Sequence, residues 1–181
     1  MLVTLGTRRL KLRPFRVSDA QAMFDGWASD PEVTKFLTWC THDSVETTRQ
    51  LLEKWVSEYK KPERLNFAIE LKETGELIGG IDVVGYIDGP EGTPVIGYNL
   101  SSRHWNKGYM TEACRCVVRY LLDRGYQKVR IDAMINNAGS NRVIQKCGGI
   151  FQGKEEHHRP LKGDTVEINC YLITNDSFIQ G

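Results

Sequence analysis

The nine residues Trp105-Asn106-Lys107-Gly108-Tyr109-Met110-Thr111-Glu112-Ala113 have the types and spacing of a phosphate-holding turn. Asn106 and Gly108 tolerate the left-handed backbone of a tight turn, and Lys107 adds a positive charge. A strand-like run, Pro94 to Leu100, leads into the turn, and a helix-like run to Arg124 leaves it. The first backbone N–H groups of a helix have no partner inside it, and the helix dipole favours an anion there. A second turn of this kind lies at Asn136–Ser140, between a strand ending near Ile135 and a helix starting near Gly139. Ligands of open sheets sit beyond the C-terminal ends of strands, so two helix N-termini are expected to face one cleft. Each turn also has a plainer reading. A glycine at a strand–helix junction serves as a simple turn, and Asn137 and Ser140 serve as caps.

The elements that must position these turns can be read from periodicity. Leu10 and Leu12 alternate with Lys11 and Arg13, giving a strand to Pro14. The Ser18-x-x-Gln21 spacing predicts a capped helix over 19–27, and Asp30-Pro31 opens a short turn with proline where its missing N–H is harmless. Asp43-x-x-Glu46 is a candidate capping pair for a helix carrying Leu51, Leu52, Trp55 and Tyr59. Between them, Phe36-Leu37-Thr38-Trp39-Cys40 is either core or one wall of a pocket. Strands follow over 67–71, 77–86 and 94–100, the first two joined by the turn Glu73-Thr74-Gly75-Glu76. A helix from Thr111 ends at Gly125, and a strand runs over Val129–Ile135. A helix from Gly139 to Lys146 stops at Gly148-Gly149. Two closing strands, 150–158 and 165–173, flank the turn at Leu161–Asp164. The order predicts a mixed α/β sheet with helices on both faces, in which 94–135 is a right-handed parallel crossover.

Composition narrows the class. A chain of 181 residues with 40% hydrophobic and 26% charged residues fits one folded domain, 1–181. The net charge of +1 argues against a dedicated nucleic-acid binder. No apolar run approaches the roughly 20 residues that span a bilayer, and no apolar leader follows Met1. The five scattered cysteines read as free thiols of a reducing cytoplasm. The four histidines, His42, His104, His157 and His158, have no metal-ligand spacing, and the phosphate-loop and dinucleotide glycine motifs are both missing.

Several ordered fragments carry a family likeness. They are Thr7–Pro14, Thr74-Gly75-Glu76-Leu77-Ile78-Gly79, Ile96-Gly97-Tyr98-Asn99-Leu100, Trp105–Ala113, and Asn137-Ala138-Gly139-Ser140-Asn141-Arg142-Val143 through Lys146 and Gly148. Gly153, Gly163, Val166, Glu167 and Tyr171 complete the set. In this order and spacing the chain resembles the GCN5-related N-acetyltransferases, in the branch similar to the RimJ and RimL ribosomal-protein acetyltransferases. The resemblance implies a mixed α+β fold around a mostly antiparallel sheet of about seven strands. It also implies acetyl-CoA as cosubstrate, no metal, and an amine-bearing acceptor, either a ribosomal-protein N-terminus or a small molecule. A homodimer is compatible with it.

Carried over residue by residue, the resemblance places coenzyme A on Asn99, Leu100, Trp105, Asn106, Lys107, Gly108, Tyr109, Met110, Thr111, Asn137, Ser140, Asn141 and Lys146. In the pyrophosphate loop Trp105 replaces a polar residue, Asn106 stands where this branch usually has glycine, and Met110 fills a small position and would narrow the approach. The strand ending at Asn99-Leu100 is expected to splay and free backbone groups for the pantetheine arm and the thioester oxygen. Ser140 would pass a proton to the leaving thiolate, and Asn137 would orient a water or an amide. The amine must lose a proton, and Val95 stands where many relatives carry a glutamate. Asp82, Glu167 and the Glu155-Glu156-His157-His158 run remain as candidate bases, with Glu167 taken together with Ser140 and Asn137 as the catalytic set. Glu112 reads as a first-turn acid that favours the helix dipole. A binding module that kept the fold without turnover is the alternative.

Overall fold

The computed structural model describes residues 3–61 and 64–180. The elements in order are β1 (Leu5–Gly6), β2 (Leu10–Pro14), α1 (Ala20–Met23), α2 (Pro31–Thr34), α3 (Val45–Glu58), β3 (Asn66–Leu71), β4 (Leu77–Ile87) and β5 (Thr93–Leu100). After these come α4 (Tyr109–Asp123), β6 (Lys128–Met134), α5 (Ala138–Lys146), β7 (Ile150–Arg159), β8 (Asp164–Thr174) and α6 (Asn175–Gln180). The strands hydrogen-bond in the order β1-β2-β3-β4-β5-β6-β8-β7. The pairing is antiparallel between β1, β2, β3 and β4 and between β6, β8 and β7, and parallel between β5 and β6. This is the expected mixed, mostly antiparallel sheet, with eight strands rather than seven. The two-residue β1 is too short to show a period, and so is α6 at the other end.

The chain divides into two compact units, one formed by residues up to Asp82 with Tyr98–Tyr109, the other by Val83–Gly97 and Met110 onward. In the first, Phe15, Met23, Trp27, Leu52 and Ala68 form a buried core, with Leu37 and Trp39 packed against it. The Phe36–Cys40 stretch therefore contributes to the core through these two side chains. The predicted caps are corrected here. Ser18 does not cap: the Asp19 carboxylate accepts from Arg16 N–H at 2.8 Å and takes a two-pronged ion pair from the buried Arg13 at 2.8 and 2.9 Å. A charged partner held inside the core outcompetes a hydroxyl at the surface. The helix then widens into a π-turn over Phe24–Ala28, where Trp27 and Ala28 are fully buried. At α3 the cap is Ser44, which accepts from Thr47 N–H, while Asp43 accepts from the Thr47 hydroxyl at 2.8 Å. Asp30-Pro31, expected to open a short turn, opens the one-turn helix α2, which Asp30 caps.

In the second unit α4 is the crossover between the parallel strands β5 and β6, whose ladder aligns Val95 with Arg130 and Ile96 with Ile131. Its buried stripe is Ala113, Cys114, Val117, Val118, Leu121 and Leu122. The helix ends on Gly125 at φ 98°, with Gly125 and Tyr126 N–H groups returning to Leu122 and Leu121. The same closure ends α5: Gly148, at φ 86°, and Gly149 return to Gln145 and Ile144. A Cβ at Gly148 would stand 2.3 Å from the Ser177 carbonyl of α6, so no other residue fits. Helix α6 docks through the buried Phe178, which lies under the guanidinium groups of Arg115 and Arg119 at 4.8 and 4.5 Å. All five cysteines are free of disulfides. Among the described residues no helix is long and apolar enough to cross a membrane, and no His, Cys, Asp and Glu group is arranged to hold a metal ion.

Candidate active site

Strand β5 ends in a tightly fixed turn. The Ser101 N–H donates to Ile78 O at 2.8 Å, a 3-10 turn spans Ser102–His104, and the Trp105 indole N–H donates to Leu100 O at 2.9 Å. Trp105 thus braces the turn where a polar residue was expected. Asn106 and Gly108 both adopt left-handed backbone, at φ 59° and 77°. They turn the chain directly into α4, which starts at Tyr109, two residues before the expected Thr111. Residues Trp105 to Gly108 are all exposed. Arg9 belongs to the Thr7–Pro14 fragment, which by its sequence gives it no role in the loop. It donates to Lys107 O at 3.0 Å, and its guanidinium lies 4.4 Å above the Tyr109 ring. A charge-assisted bond from the turn between β1 and β2 fixes the loop carbonyl, and only the fold reveals it. The Met110 side chain is 5% exposed, so it points into the core and does not narrow the approach to the loop. His104 is buried against Glu76, with Nε2 3.5 Å from the carboxylate, and burial lowers its pKa.

Helix α5 begins differently. Asn137 caps it, its side-chain oxygen accepting from the Ser140 N–H at 3.1 Å. The capping reading of this pair therefore holds, and the Ser140 side chain is half-exposed. Asn141 is saturated by the fold. Its amide nitrogen donates to Met134 O and Asn137 O at 2.9 and 2.8 Å, and its oxygen accepts from Asn169 Nδ2 and Tyr171 Oη, both at 2.8 Å. The Lys146 carbonyl accepts from Arg115 at 3.1 Å, and its side chain is exposed. The half-exposed Thr111 places its carbonyl 3.8 Å from the Cys147 thiol.

The candidate bases separate by environment. Glu167 is 46% exposed and paired with Lys154 at 2.9 Å. Glu155 accepts from Arg130 at 2.7 Å, which holds its carboxyl below the ordinary range. His158 Nδ1 lies 3.3 Å from the Thr165 hydroxyl. Asp82, on β4, is pushed up to about 6 by burial, against the opposing pull of Arg64, whose Nη1 is 3.8 Å away.

The acetyltransferase (GNAT) domain family matches residues 9–150. The chain belongs to this family. The acetyltransferase is 31% identical over 175 residues to an uncharacterised N-acetyltransferase, p20, of Bacillus licheniformis, covering 94% of this chain and 95% of that one. Its fold is that of RimL, a ribosomal L7/L12 alpha-N-protein acetyltransferase, at TM-score 0.81 and 20% identity over 96% of this chain and 95% of the other. It is also that of the microcin C7 self-immunity acetyltransferase MccE, solved with acetyl-CoA and AMP, at TM-score 0.81 and 18% identity over 93% of each chain.

Proposed function

We propose that the chain, as one acetyltransferase domain, moves an acetyl group from acetyl-CoA to a primary amine by direct attack in a ternary complex. The observation that carries this reading is the exposed left-handed turn at Asn106 and Gly108, which opens α4 without a side chain at its cap and beside the cations of Lys107 and Arg9. Backbone N–H groups at a helix start, a dipole and two cations suit a pyrophosphate. The loop residues Trp105 to Thr111 hold that end of the cofactor. Asn99 and Leu100 serve the pantetheine arm, because the parallel ladder engages Val95 and Ile96, ahead of them on β5. Ser140 and Lys146 serve the thioester end, with Asn137 and Asn141 fixing the start of α5 beneath them. There the amine nitrogen attacks the carbonyl carbon, the C–S bond breaks, and the Ser140 hydroxyl passes a proton to the departing sulfur. The acceptor is a protein N-terminus, such as that of a ribosomal protein, or a small amine, and the reaction takes place in the cytoplasm. RimL supports the first choice as a protein of the same fold.

Thiol release from acetyl-CoA, followed with a panel of small amines and N-terminal peptides, tests this reading. At least one amine is expected to release thiol, and Ser140→Ala is expected to lower turnover by ~10- to 100-fold with little change in coenzyme A affinity. Coenzyme A binding with no release across the panel would instead identify a binding module.

A further inference from the structure

The first unit holds a group of polar atoms that the loop chemistry does not use. Asn66 stands opposite Asp82 in the antiparallel β3–β4 ladder, so the two side chains leave the same face of the sheet. Asn66 is 4% exposed, and its Nδ2 has no hydrogen-bond partner among the described residues. Gly80, two residues before Asp82, shares that face. The point where its Cβ would stand is 3.6 Å from Asn99 Oδ1, a second buried atom with no partner among the described residues, and 3.0 Å from the Phe15 ring. Arg64 stands 3.8 Å from Asp82 and 3.4 Å from Glu58. A buried donor or acceptor left without a partner costs ~1–3 kcal/mol. Two of them on the face of the sheet that carries Asp82, one opposite it in the ladder and one over Gly80, describe a site for a ligand that answers both.

We propose that Asp82 is the general base of the transfer and that Asn66 and Asn99 hold the acceptor as an α-amino carbonyl compound: a peptide N-terminus or an amino-acid amide. This rests on the acetyltransferase reading. Such a ligand offers an ammonium to the Asp82 carboxylate and the Asn99 oxygen, and a neighbouring carbonyl to the Asn66 N–H. A polyamine offers donors alone and leaves Asn66 unanswered. In the step, Asp82 takes one ammonium proton, and the neutral nitrogen attacks the thioester carbon. The C–S bond breaks as the second nitrogen proton reaches the thiolate through the Ser140 hydroxyl, and Asp82 returns its proton to water through its 20% exposed side chain. The groups facing Asp82 are Asn66 and Arg64, with Glu58 and Tyr59 behind them at the end of α3. A carboxylate that titrates near 6 is ionised at neutral pH and still basic enough to accept the proton.

The test compares alaninamide with propylamine at saturating acetyl-CoA, with the full chain. Wild type should favour alaninamide, and its kcat/KM should rise with pH through about 6. Asp82→Asn should cut turnover on both amines by ~10²-fold or more and remove that rise, with coenzyme A affinity kept. Asn66→Leu should lower the alaninamide-to-propylamine ratio by about tenfold, the scale of one lost hydrogen bond. An Asp82→Asn enzyme with wild-type turnover and pH profile would overturn the inference and leave the acetyltransferase reading standing. An unchanged ratio in Asn66→Leu would do the same, even where Asp82→Asn fails to fold. A wild type that releases thiol with no amine at all would overturn both.

Discussion

Helices α4 and α5 both follow strands, yet they open in opposite ways. Before α4 stands Gly108, which has no side chain, in a loop where Asn106 and Gly108 are left-handed and all of Trp105–Gly108 is exposed. Before α5 stands Asn137, whose side chain satisfies the Ser140 N–H, and one turn on Asn141 makes four hydrogen bonds inside the fold. One helix start has a glycine and no capping side chain before it. The other uses its polar residues to fix its own position. The difference teaches that polar residues at a helix start do not by themselves signal binding. What matters is whether their donors and acceptors are already matched.

The contrast is broken most decisively at Gly108. Gly108→Glu forces a side chain into a left-handed position, costing ~1–2 kcal/mol, and sets a negative charge against the pyrophosphate. Coenzyme A affinity by calorimetry should fall by ~10²-fold or more, and an unchanged affinity would remove the loop from the site. Asn141→Ala should show the opposite pattern. It deprives the Asn169 and Tyr171 donors of their acceptor and removes one of two bonds to each of the Met134 and Asn137 carbonyls, so thermal or denaturant unfolding should report a loss of ~2–3 kcal/mol. Affinity of the folded fraction for coenzyme A should stay within about twofold; a large loss there would assign Asn141 a direct contact. Arg9→Ala gives the smallest effect. Freeing the Lys107 carbonyl should weaken coenzyme A by about fivefold, the equivalent of ~1 kcal/mol, and affinity indifferent to this change would mean that the loop holds its shape unaided.

The alternation of Leu10 and Leu12, the crossover into α4 and the Gly125 and Gly148 stops were all legible, because each depends on neighbours a few residues apart. The loop was legible for the same reason: Asn106 and Gly108 announce left-handed backbone. Residues whose partners lie far away in sequence were misjudged or missed. Ser18 looked like a cap because the competing Arg13–Asp19 pair depends on burial, which spacing does not encode. Arg9 reaches the loop across 98 positions. Met110 looked like an obstruction because the direction of a side chain at a helix start is set by the core beneath it. Asn66 gave no signal at all; its interest comes from standing opposite Asp82 in a ladder that joins two separate strands.

Strand β7 has a consequence for how the protein behaves in concentrated solution. It is the last strand in the order, so one row of its backbone groups has no neighbouring strand. It opens with Ile150 and Phe151, each 53% exposed, a pairing edge that invites another chain to add a strand. Lys154-Glu155-Glu156-His157-His158 follows at once, all exposed, and any chain that extended the sheet there would have to bring its own side chains against that row of charge. Charge on the edge strand itself is a device that opposes such an addition.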